Sequence, residues 1–389
     1  MTGAGEDEGA GLRAEVRRRL EGRLELRQPG RSSGFMGAGS DDLVTGRAWL
    51  ATLDEVGLAV PTWPVEHGGM EATTEEAAVV ASELSRFAAP DLYPFGVGLT
   101  LVGPVLLTHG DDGQRRRWLG PIRTGEEIWC QLFSEPDAGS DLAGLTTRAE
   151  RDGDTWRLSG SKVWSSRAHY ARWGLLLARS DPTVPKHAGI TAFALDMAAP
   201  GVEVRPLRQM NGDTHFNQVF LQDTPVPDGD RIGGVGEGWG VATTTLMHER
   251  AGIGSAGGGA HSANERLVAL SRARGLAVDP VVRQRLASVR MSAEVARLTA
   301  LRARAAARSG RPPGPEGSGA KLRFSEDVKA RADLALDLEG PHGVAGEGDP
   351  EWLTLFLTGP SLSIRGGTDE IQRNIVGERV LGLPREPRP

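Results

Sequence analysis

Between about Glu126 and Val235 the spacing of hydrophobic residues changes, and this change most limits the folds open to the chain. Upstream, from about Leu12 to Arg123, apolar residues recur at helical spacing. TTEEAAVVASELSRF is the clearest case, with Thr74 as candidate cap and acids in the first turn. WPVEHGGM (Trp63–Met70) interrupts with Pro and Gly and reads as a loop. In the middle, short β-rich runs alternate with turn signals: TTRAERDGDTWRLSG, GLLLARSD, GITAFALDM, VEVRPL and FNQVFLQDTPVP. Asp152-Gly153-Asp154 joins two of them as a hairpin. From about Trp239 helical spacing returns in SANERLVALSRARG and VVRQRLASVRMSAEVARLTALRARAAARS, whose apolar stripes suit a bundle core. GRPPGPEGSG (Gly310–Gly319) is a turn between two such helices. There is no internal repeat. The pattern predicts an α+β multidomain fold with a flexible tail over 1–11 and a helical domain over 12–125. A β-barrel or sandwich follows over 126–238, and a helical bundle over 239–389.

The chain has 389 residues, 39% of them hydrophobic, enough for two or three packed domains. Its balance of 45 basic against 51 acidic residues, without a lysine-rich block, argues against nucleic acid as a partner. Arg17-Arg18-Arg19 reads as a solvated helix face. With Cys130 as the single cysteine, no intrachain disulfide forms. The acidic start MTGAGEDEGAG does not resemble a signal peptide, and no run of about 18 apolar residues spans a bilayer. The chain is expected to be soluble and cytoplasmic. Lysine is scarce and arginine abundant, which reads as genomic bias.

The eight histidines are scattered, without a second histidine at zincin spacing after His248-Glu249, so no metal site is expected. GxSxG, GxGxxG after a strand and the P-loop are absent. GGVGEGWG (Gly233–Gly240) reads as a flexible interdomain linker. WCQLFSEPDAGSDLAG (Trp129–Gly144) is more informative. A strand-like run ends at Ser134-Glu135-Pro136, and the turn after it exposes backbone N–H groups suited to an anionic or carbonyl-rich ligand. In GSKVWSSRA (Gly160–Ala168), Trp164 is either core or the flank of a flat aromatic ring, with Ser166 as a hydrogen-bond donor.

Together with IRGGTDEIQRNIVGERVLGLP and VFLQDTPVPDGDRIGGVGEGW, these segments resemble the acyl-CoA dehydrogenase flavoproteins over about residues 12–384. The resemblance implies a C-terminal four-helix bundle and FAD held between it and the β domain. Gln131, Phe133, Ser134, Gly139 and Ser140 would line the flavin, with Ser140 also near the acyl-CoA. Trp164 and Ser166 would flank the ring, and Thr368 and Glu370 would meet the nucleotide part. A helix beginning after Gly366-Gly367 would aim its N–H groups at that anion. The implied reaction is α,β-dehydrogenation of an acyl thioester. A carboxylate takes the α-proton and hydride passes to flavin N5.

Many members carry the base immediately before the Gly-Thr of the C-terminal motif, where this chain has Gly366. In TTTLMHERAGIG, Glu249 matches the alternative location of a minority, and Arg250 would contact CoA. Read alone, without the resemblance, Glu249 is better taken as a solvent-facing helix acid paired with a neighbouring arginine. The Arg-x-x-Phe-Gly segment of many members is missing, and their Gly-Gly pair reads Gly340-Pro341, so cross-subunit FAD contacts depart from the pattern. A homodimer or homotetramer is expected, with a heteromer built from a paralogue as the alternative. The resemblance also implies an electron-transfer flavoprotein as acceptor. Two other readings are a flavin oxidase or monooxygenase and a non-catalytic partner subunit.

Overall fold

The computed structural model describes residues 4–27, 41–255, 260–308, 314–315 and 317–385. Two compact units emerge. One comprises Met1–Arg208 with Thr214–Thr245, the other Gln209–Asp213 with Leu246–Pro389.

The first unit opens with α1 (Ala4–Leu20), which starts inside the expected tail. Val16 and Leu20 are buried against Trp49 and Leu53 of α2 (Leu43–Glu55) and Val80 of α3 (Thr74–Leu84). Arg17 is not merely solvated, because its guanidinium grips the buried Glu83 at 2.7 Å. The cap of α3 is Thr73, one residue before the expected Thr74. Its hydroxyl accepts from Glu76 N–H at 3.2 Å, and the Glu76 carboxylate accepts from Thr73 N–H at 2.8 Å. Further on, α4 (Tyr93–Gly96), a π-helical turn (Val97–Val102) and α5 (Gly103–His109) run together. Trp63 of the WPVEHGG loop packs so tightly on Gly103 that a methyl there would lie 2.0 Å from its ring. Next, α6 (Asp112–Thr124) starts from an Asp111/Gln114 capping box.

The β region is one eight-stranded sheet. It comprises β1 (Trp129–Leu132), β2 (Arg148–Asp152), β3 (Thr155–Ser166), β4 (Trp173–Arg179), β5 (Ile190–Asp196), β6 (Val202–Leu207), β7 (Phe216–Pro227) and β8 (Arg231–Ile232). Strand order is β6-β7-β3-β2-β4-β5-β8, with β1 parallel to β4. The expected hairpin forms between β2 and β3, where Asp152 pairs Thr155 across Gly153-Asp154. Nearly all of β4 and β5 is buried, as their continuous apolar runs require. At the foot of β1, Trp118, Trp129 and Trp173 contact one another at centroid distances of 5.4 to 5.9 Å.

GGVGEGWG is no flexible linker. Thr191 accepts from Gly236 N–H at 3.0 Å, the Glu237 carboxylate accepts from Gly234 N–H at 2.8 Å, and Gly238 lies so close to β5 that a Cβ would meet the Thr191 carbonyl carbon at 2.7 Å. Its glycines serve a close approach of backbone to sheet. From there α7 (Gly238–Ser255) departs.

In the second unit, α10 (Gly317–Glu339) packs against α8 (Ala260–Ala273), α9 (Pro280–Arg308), α12 (Pro350–Leu362) and α13 (Asp369–Ile375), with the short α11 (Pro341–Val344) between. Most of the expected Gly310–Gly319 turn lies outside the described residues. Among the described residues no helix is long and apolar enough to cross a membrane.

Candidate functional site

The segment between β1 and β2 leaves the sheet and returns to it on one edge of β4. Trp129–Leu132 pair Trp173–Leu176, and Arg148 pairs Arg179. The excursion begins with a tight turn in which Glu135 and Ala138 exchange backbone hydrogen bonds at 3.1 Å. Its neck is closed by the buried Glu135 carboxylate. Oε2 accepts from Thr146 N–H at 2.7 Å and Thr146 Oγ1 at 2.8 Å. Oε1 accepts from Thr147 N–H at 2.9 Å and from the fully buried Lys162 ammonium at 2.8 Å. Lys162 also donates to the Phe133 carbonyl at 3.1 Å. Burial pushes the Glu135 carboxyl up, but Lys162 and the N–H donors overcome this and hold it at about 2. Burial pulls Lys162 down to about 8 against the attraction of Glu135. Lys186 grips Asp141 from the exposed side at 2.6 Å. The turn so held presents Gly139 and Ser140 to solvent, while Gln131 and Ser134 are half-buried and Phe133 is buried.

Next to this loop, β3 carries a β-bulge. Lys162 pairs Val219 and Ser165 pairs Asn217, so Val163 and Trp164 together oppose Gln218. Val163 N–H donates to the Ser134 carbonyl at 2.9 Å, which brings Ser134 and the bulge together. Trp164 adopts φ 61°, a left-handed conformation rare for a bulky residue, and it is 61% exposed with Phe216 edge-on to its ring. Trp164 is therefore not core. Ser166 beside it is half-buried. The Ser165 hydroxyl and the Asn217 side-chain carbonyl are buried without a partner. Arg167 is buried on Asp41 at 2.7 Å and stacks over Tyr93.

In the second unit, the chain turns through Gly366 (φ 69°) and Gly367 (φ 85°) into α13. Thr368 caps that helix by accepting from Ile371 N–H at 3.2 Å. The buried Asp369 receives the buried Lys321 ammonium at 2.8 Å, and Lys329 donates to Ser363 at 2.6 Å. Burial raises the Asp369 carboxyl, but hydrogen bonds from Lys321 and Ser363 leave it below its ordinary value. Glu370 is exposed. Glu249 lies half-buried on α7 in the part belonging to this unit, whereas the Arg250 side chain lies outside the described residues. The structure thus groups Gln131, Phe133, Ser134, Gly139, Ser140, Trp164 and Ser166 in one unit. Thr368, Glu370 and Glu249 belong to the other.

Sequence reasoning missed the lysines. The chain has four, Lys162, Lys186, Lys321 and Lys329, and each sits on a side chain of one of these two segments. The signal was their rarity. In a chain that otherwise uses arginine, a retained lysine marks a place where a compact point charge fits and a planar fork does not.

The residues suit FAD. An exposed indole on a bulge, half-buried hydroxyls and an exposed turn with free backbone match a flat ring with polar edges. Among the described residues no cluster of three metal-ligating side chains occurs. The acyl-CoA dehydrogenase N-terminal domain matches residues 38–126, the middle domain 130–223 and the C-terminal domain 236–381. Acyl-CoA dehydrogenase IpdE1 of Mycolicibacterium smegmatis is 39% identical, covering 87% of this chain and 88% of that protein. The solved Tcur3481–Tcur3483 steroid ACAD is 29% identical with TM-score 0.80, covering 98% of both chains. The ChsE4–ChsE5 complex from Mycobacterium tuberculosis is 26% identical with TM-score 0.72, covering 99% of both. With all three domains matched in order, the chain belongs to the acyl-CoA dehydrogenase family, whose members are FAD-dependent oxidoreductases.

Proposed function

We propose that the chain dehydrogenates an acyl-CoA at the α,β bond to the trans-2-enoyl thioester, with Glu249 as the base. One observation carries the assignment. Gly366 stands where many relatives have glutamate, and its backbone lies at φ 69°. Glycine carries no carboxylate, so the base must come from elsewhere. Glu249 is half-buried on a long helix, a setting that suits a carboxylate partly withdrawn from water. Bound FAD supplies the hydride acceptor. This chain's residues do the rest. Trp164 and Ser166 orient the ring, the Ser134 and Ser140 hydroxyls and the loop amides bind its polar edge, Thr368 and Glu370 meet the nucleotide part, and Glu249 holds the abstracted α-proton. Arg250 contacts CoA.

The steroid ACAD relative supports an acyl group attached to a bulky ring system. The two-component names of both solved relatives support assembly with a paralogue, the alternative to the homodimer or homotetramer expected from sequence. The chain works in the cytoplasm with an electron-transfer flavoprotein as acceptor. The test is anaerobic titration of the purified protein with a panel of acyl-CoA thioesters, following flavin bleaching. Glu249→Gln should slow bleaching about 100-fold to 10,000-fold, the usual worth of a general base. Bleaching at the parental rate overturns the assignment of Glu249.

A second reading, a partner subunit completing another chain's site, draws on Pro341. It offers no N–H where many relatives have the second glycine of a cofactor-contacting pair, and Glu339 is buried beside it. Purification without flavin, and gain of flavin with a paralogue alone, would favour it.

A further inference from the structure

We propose that the chain's four lysines are the positioning residues of its cofactor site, each holding one of the two segments that carry the assigned FAD contacts. The inference rests on the function proposed above. Lys162 is fully buried in mid-strand, yet its ammonium reaches two groups on the loop that follows β1, the Phe133 carbonyl and Glu135 Oε1. Through Glu135 it is joined to Thr146 and Thr147 at the other end of that loop. One cation therefore fixes both ends of the excursion that bears Ser134, Gly139 and Ser140. It does so immediately before the bulge that bears Trp164. Lys186 bonds both Asp141 oxygens, at 2.6 and 2.8 Å, just beyond Ser140. In the other unit Lys321 and Lys329 do the same for the Gly-Gly-Thr turn. Lys321 bonds Asp369, the residue after Thr368. Lys329 bonds Ser363 and lies 3.9 Å from the second Asp369 oxygen.

Core packing alone does not account for this. A buried ion pair is weak grounds for stability, because apolar residues of equal volume usually stabilise as well or better. What it specifies is one arrangement of otherwise irregular backbone. Arginine is used at nearly every other cationic position, so retention of lysine at these four marks a geometric demand.

The test compares Lys162→Met, Lys321→Met, Lys186→Met and the charge-free pair Glu135→Met/Lys162→Met with the parent. The dissociation constant for FAD is measured by reconstituting apoprotein, and amide hydrogen exchange at residues 134–147 and 363–370 is measured alongside. Leu20→Ala, in the remote N-terminal cluster, controls for loss of stability. The expected result is a rise in FAD dissociation constant of about tenfold or more for Lys162→Met and Lys321→Met, the weight of one good hydrogen-bonded contact. Lys186→Met, at an exposed pair, should raise it about twofold to fivefold. Exchange should quicken in the affected segment, and Leu20→Ala should change neither reading. If single variants fail to fold, Lys186→Met and the charge-free pair decide. FAD affinity within twofold of parent in both overturns the proposal. Trp164→Gly separates the two levels. If it weakens FAD while the lysine variants do not, the site assignment stands and the positioning role falls. If it too has no effect, the site assignment itself fails.

Discussion

Trp164→Gly separates a residue that builds the fold from one that uses it. The residue is 61% exposed, and its ring meets Phe216 edge-on with centroids 6.1 Å apart. A fully buried tryptophan covers about 200 Å², so the hidden two-fifths amounts to about 80 Å², worth about 2 kcal/mol at 25 cal/mol per Å². Against this loss, φ 61° costs an L-residue about 1 kcal/mol that glycine does not incur. The net cost is about 1 kcal/mol, a fall in melting temperature of about 2–4 °C for units of this size. A core tryptophan would cost about 3–5 kcal/mol. Loss of an aromatic stacking partner worth about 1 kcal/mol weakens a flat ligand about fivefold. The assay is scanning calorimetry of apoprotein beside FAD titration of the same sample. A fall of about 10 °C or more would show Trp164 to be core, and unchanged FAD affinity with a small thermal shift would refute its place beside the ring.

Two further outcomes follow from packing and charge. Gly103→Ala places a methyl 2.0 Å from the buried Trp63 ring and should cost about 1–3 kcal/mol, whereas Gly120→Ala on α6 meets nothing within 4 Å and should be neutral or stabilising by up to about 1 kcal/mol; equal melting temperatures would contradict the packing described here. Hydrogen bonds from Arg17, opposed by burial and aided by Arg86 and Arg13, lower Glu83 from 4.5 to about 2. Its contribution is therefore complete above pH 4.5 and is lost as pH falls toward 2. Because Arg17 and Arg13 are half-exposed, that contribution is discounted to about 1 kcal/mol. Glu83→Gln should flatten the acid limb of melting temperature against pH below 4.5, and an unchanged limb would contradict it.

The domain order, the hairpin at Gly153-Asp154 and the motif-bearing loops were legible because each depends on neighbours in sequence. Thr73 was missed by one residue since Thr73 and Thr74 are both competent caps, and only the reach of Glu76 back to Thr73 N–H decides between them. The Glu135–Lys162 and Lys321–Asp369 pairs join residues far apart in sequence, and no local pattern announces them. The Gly233–Gly240 stretch misled because glycine signals both mobility and close approach. Nothing nearby distinguishes the contact with β5 from a free linker. Whether Trp164 was core turned on a bulge, and a bulge is a relation between two strands.

The bulge also sets a rule for insertions and deletions. Lys162 faces inward, Trp164 outward and Ser165 inward again, because one extra residue is spent between the Val219 and Asn217 pairings. Deleting Val163 would straighten the ladder and leave Ser165 on Asn217, but it would remove the bulge that holds Trp164 in its left-handed conformation. Val163 itself could be exchanged for many residues without that effect. At this place the chain is constrained in its length and hardly at all in its spelling, and a comparison that scores substitutions but forgives gaps would misjudge which changes the bulge tolerates.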